Sequence, residues 1–244
     1  TGHYTVTDNG DNTCTVVYQP NATYGKDAYV RDSGSANTNF GTEADISVYD
    51  YNTIQIRSYI QFNLSVIPNA IIRNTSLEVY VYSGGTPTSQ DGNIAARRNN
   101  ASWVESTITW NNQPLGASLI TDSVWEEDKY VTNLTWVMYN VTNYVRSIAN
   151  GSNTDYGLAL LSNPETQPGK PVVAFASSDY TTDTSKRPIL LVTYQKVFVY
   201  YSSGYYTSQV FDTNYSVRWG NLTWSNVSAA GTNITFYARS CNDA

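Results

Sequence analysis

Leu77-Glu78-Val79-Tyr80-Val81-Tyr82 alternates without a break. Successive side chains of an extended strand point to opposite faces, so Leu77, Val79 and Val81 turn inward and Glu78, Tyr80 and Tyr82 outward. Tyr59-Ile-Gln-Phe-Asn-Leu64 repeats the period and turns Ile60, Phe62 and Leu64 to one side. Gly157-Leu-Ala-Leu-Leu161 and Ile189-Leu-Leu-Val192 are apolar on both sides, which predicts central strands. Between Asp27 and Tyr194 such segments are separated by Gly, Pro, Asn and Asp clusters, the spacing of a sandwich or jelly roll. Helical spacing occurs at Val141, Tyr144, Val145 and Ile148, enough for one or two turns. The expected core holds Phe62, Leu77, Val79, Trp110, Leu158, Leu160 and Leu190.

Outward from that centre the texture changes. Residues 3–18 read as a hairpin, with His3 to Thr7 and Cys14 to Tyr18 flanking the turn-rich Asp8-Asn-Gly-Asp-Asn-Thr13. After Tyr194 come Tyr200-Tyr201, Tyr205-Tyr206, Val210-Phe211, Val217-Arg-Trp219, Leu222-Thr-Trp224 and Ile234-Thr-Phe-Tyr-Ala238. Three or four short strands are too few for a closed core, so a second, incomplete β unit is expected there. The fold class is therefore all-β: a jelly-roll β-sandwich over 21–195, an N-terminal β-hairpin over 1–20 and a partial β unit over 196–244.

Composition narrows the function. Tyr, Thr, Val and Ile are plentiful, as pleated sheets favour. A net charge of −6 and only 14% charged residues leave no basic surface to neutralise phosphates, which argues against nucleic acid. The longest apolar runs, such as Pro188-Ile-Leu-Leu-Val-Thr193, are too short to span a bilayer, and with no leader at Thr1 the chain reads as mature, soluble material.

Catalytic material is sparse. His3 is the sole histidine and sits in a terminal strand, so triads and histidine metal sites have little to draw on. Glu126-Glu-Asp128 is the densest acidic run, yet neighbours on a strand face opposite ways, and a solvated loop is the better reading than a carboxylate pair. No enzyme is expected. Trp103 and Trp110 are read as plugs of the sandwich core before sugar platforms. Outward Tyr80 and Tyr82, with Tyr49 and Tyr51, form an aromatic surface suited to pyranose rings or another subunit. Asp27, Asp179 and Asp183, near the first and last strands, are candidate Ca²⁺ ligands. Cys14 and Cys241 form an even pair, read as one disulfide, with two free buried thiols as the alternative.

Asn-x-Ser/Thr acceptors occur at Asn21, Asn63, Asn74, Asn100, Asn133, Asn140, Asn150, Asn214, Asn221, Asn226 and Asn233. With 25 Asn and 54 Ser plus Thr, chance gives roughly half of these eleven, so the excess itself argues for a sugar coat. Six have an apolar middle residue, which on a strand would point inward and leave the asparagine on the solvent face.

A family resemblance covers about residues 24–195. Lys26-Asp-Ala-Tyr-Val-Arg31, Asn39-Phe-Gly41, Arg57 to Leu64 with Ile67-Pro68, and Leu77-Glu-Val-Tyr-Val81 resemble successive strands of the DNRLRE, or disaggregatase-related, domain. So do Trp103-Val-Glu-Ser-Thr-Ile-Thr-Trp-Asn-Asn-Gln-Pro114, Tyr139 to Val145 and Ser185 to Tyr194. The resemblance implies a jelly-roll sandwich of extracellular archaeal and bacterial proteins, some of them carbohydrate-binding modules beside polysaccharide-degrading domains. Two functions stand at this point. The first is a non-enzymatic, heavily N-glycosylated cell-surface structural protein, a filament, sheath or surface-layer subunit. Its hairpin would add strands to the incomplete sheet of the next copy, and Cys14 and Cys241 would lock the joint; an intrachain bridge, or completion by further sequence, are the alternatives. The second is a carbohydrate-binding module with polysaccharide as partner.

Overall fold

The computed structural model describes residues 4–51, 53–67, 70–84, 93–114, 125–130 (backbone only), 134–163, 165 and 170–196, with short stretches at 205–207, 220–221, 223 and 233–237. The chain divides into two units, Thr1–Val199 and Tyr200–Ala244. In the second, every described residue is exposed and none is in a strand, including Ile234 to Tyr237, where a strand was expected. Tyr205-Tyr206 and Thr223 are likewise exposed and in no strand, and the remaining segments expected after Tyr200 lie outside the described residues.

The first unit is nearly all β. Its strands are β1 (Tyr4–Asp8), β2 (Thr13–Tyr18), β3 (Asp27–Arg31), β4 (Asp45–Tyr51), β5 (Ile54–Ile60), β6 (Ile71–Gly84), β7 (Asn93–Arg98), β8 (Trp125–Tyr130), β9 (Thr135–Asn140), β10 (Leu158–Ser162), β11 (Lys170–Ala176) and β12 (Ile189–Gln195), with one helix, α1 (Thr142–Ala149). All pairings are antiparallel and join in one path, β1-β2-β12-β6-β11-β4-β5-β10-β7-β8, with β3 on β5 and β9 on β6.

Two strands turn this path into two layers. Ser76, Leu77 and Glu78 of β6 pair with β12 on one edge and β9 on the other, while Val81 to Gly84 pair with β11. Ile56 of β5 pairs with both β4 and β3, and Ile60 with both β10 and β3. Layer one is thus β1-β2-β12-β6-β9, layer two is β3-β5-β10-β7-β8, and β11 and β4 step between them. The main core lies between the layers: Val16, Leu77, Val79, Val137, Tyr139, Leu190 and Val192 meet Ile60, Ile94, Ala96, Leu158 and Leu160. Burying such side chains stabilises by about 1.5–3 kcal/mol each before entropy is counted.

Local chemistry closes the core at one end. Asn140 Oδ1 accepts the Thr142 N–H (3.1 Å) where β9 ends, and Thr142 Oγ1 accepts the Thr75 N–H of β6 (2.8 Å). The helix so anchored buries Tyr144 and Val145, with Val141 buried just before it and Ile148 half-buried, the apolar stripe expected from the sequence.

A second apolar cluster lies on the other side of layer two. Residues 99–113 cross the outer face of β3, β5 and β10, packing Trp103 and Ile108 onto Ala28, Val30, Tyr59, Ala159 and Leu161. Hence Leu158 to Leu161 are buried on both faces. Trp103 Nε1 donates to Tyr156 O (3.0 Å), and Gln113 accepts from Tyr59 Oη (2.6 Å) and from Arg57 (3.1 Å). Arg57 also donates to both Glu165 oxygens (2.7 and 2.8 Å), a bidentate pair taken almost wholly out of water.

Several expectations need correction. Trp103 is buried, but against the outer face of layer two and not between the layers; Trp110 is only half-buried, with the Arg57 guanidinium 4.8 Å from its ring. Ile189 and Leu191 are half-buried, so β12 is central in its sheet but apolar-packed on one face only. Strand β5 ends at Ile60; Phe62 and Leu64 still enter the core from irregular chain and a single 3₁₀ turn. Glu126 to Asp128 lie in β8 and not in a loop. The N-terminal hairpin forms, with Asp8 opposite Cys14, but β2 also pairs with β12 along Thr13 to Tyr18, and Val16 and Tyr18 enter the main core. No helix among the described residues is long and apolar enough to cross a membrane.

Candidate functional site

The outer face of layer one is crossed by no segment among the described residues at its β6–β9 end and carries aromatic side chains. Tyr80 and Trp136 are register partners on adjacent strands, their rings 5.5 Å apart and edge to face, a favourable arrangement of ring quadrupoles. Tyr82, about 7 Å further along β6, packs on Tyr180 with centroids 5.3 Å apart. Met138 and Glu78, paired next to Tyr80 and Trp136, extend this surface, and Met138 is 56% exposed. Lys186, in the turn before β12, holds its ammonium 4.2 Å from the Tyr80 ring centre and 5.9 Å from that of Trp136.

Polar groups fringe the rings. Burial and then the neighbouring Asp45 carboxyl push the Tyr82 phenol up to about 12, so it stays a hydroxyl able to donate. Burial also raises Glu78. The strip therefore offers half-exposed ring faces together with an ammonium, carboxyls and phenols, which suits a ligand with apolar C–H faces rimmed by hydroxyls.

Of the four tyrosines expected to form an aromatic surface, Tyr80 and Tyr82 stand on this face. Tyr49 lies on β4 and is half-buried; the side chain of Tyr51 lies outside the described residues. Sequence reading missed Trp136, Tyr180 and Lys186. The alternation of Trp136-Val137-Met138-Tyr139 signalled the first; Tyr180 and Lys186 reach the strip from turns, where no period points to them.

Three carboxylates converge elsewhere. Asp27 at the start of β3, Glu105 in the 99–113 segment and Asp179 after β11 each bring one oxygen within 4.8 Å of the others. The Asp27 N–H donates to Glu105 Oε1 (2.8 Å) and the Ser178 N–H to Asp27 Oδ2 (2.9 Å). Asn39 Nδ2 holds the Glu105 segment through the carbonyls of Glu105 (2.7 Å) and Ile108 (2.8 Å). Asp27 and Asp179 were expected from the sequence. Asp183 is not with them: it is exposed, and its Oδ1 accepts from Ser185 N (3.0 Å) at the start of a 3₁₀ turn. Glu105 takes its place, and its position in Trp103-Val-Glu105 beside a buried tryptophan was the available signal.

The eight described sequon asparagines, Asn21, Asn63, Asn74, Asn100, Asn140, Asn150, Asn221 and Asn233, are all exposed; Asn133, Asn214 and Asn226 lie outside the described residues. Asn21, Asn63, Asn140 and Asn150 each accept, through Oδ1, the N–H two residues on at 3.0–3.1 Å, an Asx turn. Leu64 and Val141 point inward as expected of middle residues, but Leu134 is 69% exposed in a turn with a φ of 53°, and Ile234 is exposed as well. Cys14, expected to be bridged, carries a free, half-buried thiol beside Tyr194; Cys241 lies outside the described residues.

Residues 19–194 match the model of carbohydrate-binding module family 96. No curated protein matches the chain.

Proposed function

The chain belongs to carbohydrate-binding module family 96, and from that premise we propose that it is a non-catalytic module that binds a polysaccharide along the strip of Trp136, Tyr80, Tyr82 and Tyr180. The carrying observation is the pairing of Tyr80 with Trp136 on an outer sheet face that nothing among the described residues covers. Trp136 is the main platform. Lys186 sits over Tyr80, which in turn fixes the indole edge-on and limits the rotamer freedom that ligand binding would otherwise have to remove. Tyr82 and Tyr180 supply a second contact further along, and Asp45 and Glu78 accept from sugar hydroxyls at the rim. Native gels cast with a panel of neutral and acidic polysaccharides test this. The chain should be retarded by at least one of them, and the double variant Tyr82→Ala/Trp136→Ala should run free. Equal retardation of both would refute the assignment of the face.

The exposed sequons support a second, compatible property, N-glycosylation in an extracellular setting, which also agrees with the resemblance of residues 24–195 to the DNRLRE domain. Asn74 and Asn140 share the outer face of layer one but sit toward the far end of β6 and β9, about 20 and 14 Å along the strands from Tyr80 and Trp136, so sugars there leave the rings accessible. Intact mass of natively produced chain well above 27.1 kDa is expected, and a mass at that value would exclude it. Self-association through the N-terminal hairpin would have to use the outer edge of β1, because β2 is paired on both sides.

A further inference from the structure

We propose that Asp27, Glu105 and Asp179, with the hydroxyl of Ser178, form a Ca²⁺ site that clamps the 99–113 segment and the turn after β11 to the start of β3. Three carboxylate oxygens lie within 4.8 Å of one another, the separation of opposite ligands about one ion bound at roughly 2.4 Å. The donors are all oxygen, with no histidine or thiolate, which suits a hard cation over zinc or copper.

A cluster of acids can be mere surface; this one is not. Asp27 is 2% exposed and Ser178 1%, and the Ser178 hydroxyl has no hydrogen-bond partner among the described residues. It lies close enough to the Asp27 carboxyl to favour its charge, yet without the geometry of a hydrogen bond, so a buried oxygen is left aimed at the cluster. Such an oxygen is costly to bury unless something ligates it. Burial pushes Asp27 up to about 7 and raises Glu105 and Asp179 too, while Lys26 lowers Glu105 and Arg187 lowers Asp179 from a distance.

The nearby cations are engaged elsewhere. Lys26 donates to Gln61 Oε1 (2.6 Å) and sits 4.3 Å over the Trp103 ring, and Arg187 Nε donates to Tyr180 O (2.9 Å). Among the described residues neither makes an ion pair with the three acids. The backbone is also drawn in tightly. A Cβ at Gly41 would strike the Glu105 carbonyl oxygen, and one at Gly25 the Ser178 hydroxyl, so both glycines let the chain close around the cluster.

Calorimetric titration of the chelator-treated full chain with CaCl₂, paired with thermal melts, tests the site. One Ca²⁺ per chain is expected with a Kd of about 10⁻³ M or tighter, the range of extracellular modules, and the midpoint of unfolding should rise by several degrees when the site fills. Glu105→Gln and Asp179→Asn, at half-buried positions that tolerate an isosteric amide, should each weaken binding at least tenfold while circular dichroism stays native. Ser178→Ala should weaken it severalfold, and Asp183→Asn should leave it unchanged. No saturable uptake at about 10 mM Ca²⁺ would overturn the proposal. So would unaltered uptake in the Glu105→Gln/Asp179→Asn double variant, or a loss caused by Asp183→Asn.

Discussion

Both outer faces of the sandwich present aromatic side chains, but among the described residues only one is closed. Over layer two, the 99–113 segment lays Trp103 against Tyr59 with centroids 5.8 Å apart and bonds its indole N–H to Tyr156 O, and Arg57, paired with Glu165, donates to its Gln113. Over layer one, Trp136 and Tyr80 meet at almost the same spacing, yet no segment among the described residues crosses them and only Lys186 lies above. Ring contacts alone therefore do not separate a structural aromatic from a binding one. What separates them is whether the polar edges are satisfied inside the protein and whether a face remains in contact with water.

Substitutions that sharpen this contrast should differ first in stability. Trp103→Ala removes a buried ring and its hydrogen bond, and chemical denaturation should find a loss toward the upper end of about 3–5 kcal/mol. Glu165→Ala strands the Arg57 charge among buried neighbours and should cost about 3–4 kcal/mol in the same measurement. Replacing both partners by apolar residues of similar volume, Arg57→Met with Glu165→Leu, should recover most of that, because no unpaired charge is left behind. Trp136→Ala, on the open face, should change stability by less than about 1 kcal/mol. If it destabilised as much as Trp103→Ala, the two faces would not differ in kind.

An effect of opposite sign belongs to the core the two layers share. Tyr18 is buried and its hydroxyl has no hydrogen-bond partner among the described residues, and burial raises its pKa, so Tyr18→Phe should stabilise by about 1 kcal/mol in thermal unfolding.

The layer that stays wet on one side was the more legible in sequence. Leu77 to Tyr82 alternates because one face meets the core and the other meets water, and the structure buries Leu77, Val79 and Val81 as the period requires. Layer two could be recognised as central from Leu158 to Leu161, but what covered its second face could not, because the cover is an irregular segment with no period of its own. That is why Trp110 was placed too deep, and why Glu105 went unnoticed beside Asp27 and Asp179. Side chains brought together by turns, such as Tyr180 and Lys186 on the strip, leave no local signature; their neighbourhood is set by pairings between strands far apart in the chain.

The account rests most heavily on Trp136 as a platform for sugar. Isothermal titration of wild type and Trp136→Ala with the polysaccharide that retards the chain tests it directly. At least a tenfold loss of affinity is expected, about 1.4 kcal/mol or more, with an unchanged melting temperature. Undiminished affinity in Trp136→Ala would place the ligand on another part of the molecule and contradict the assignment.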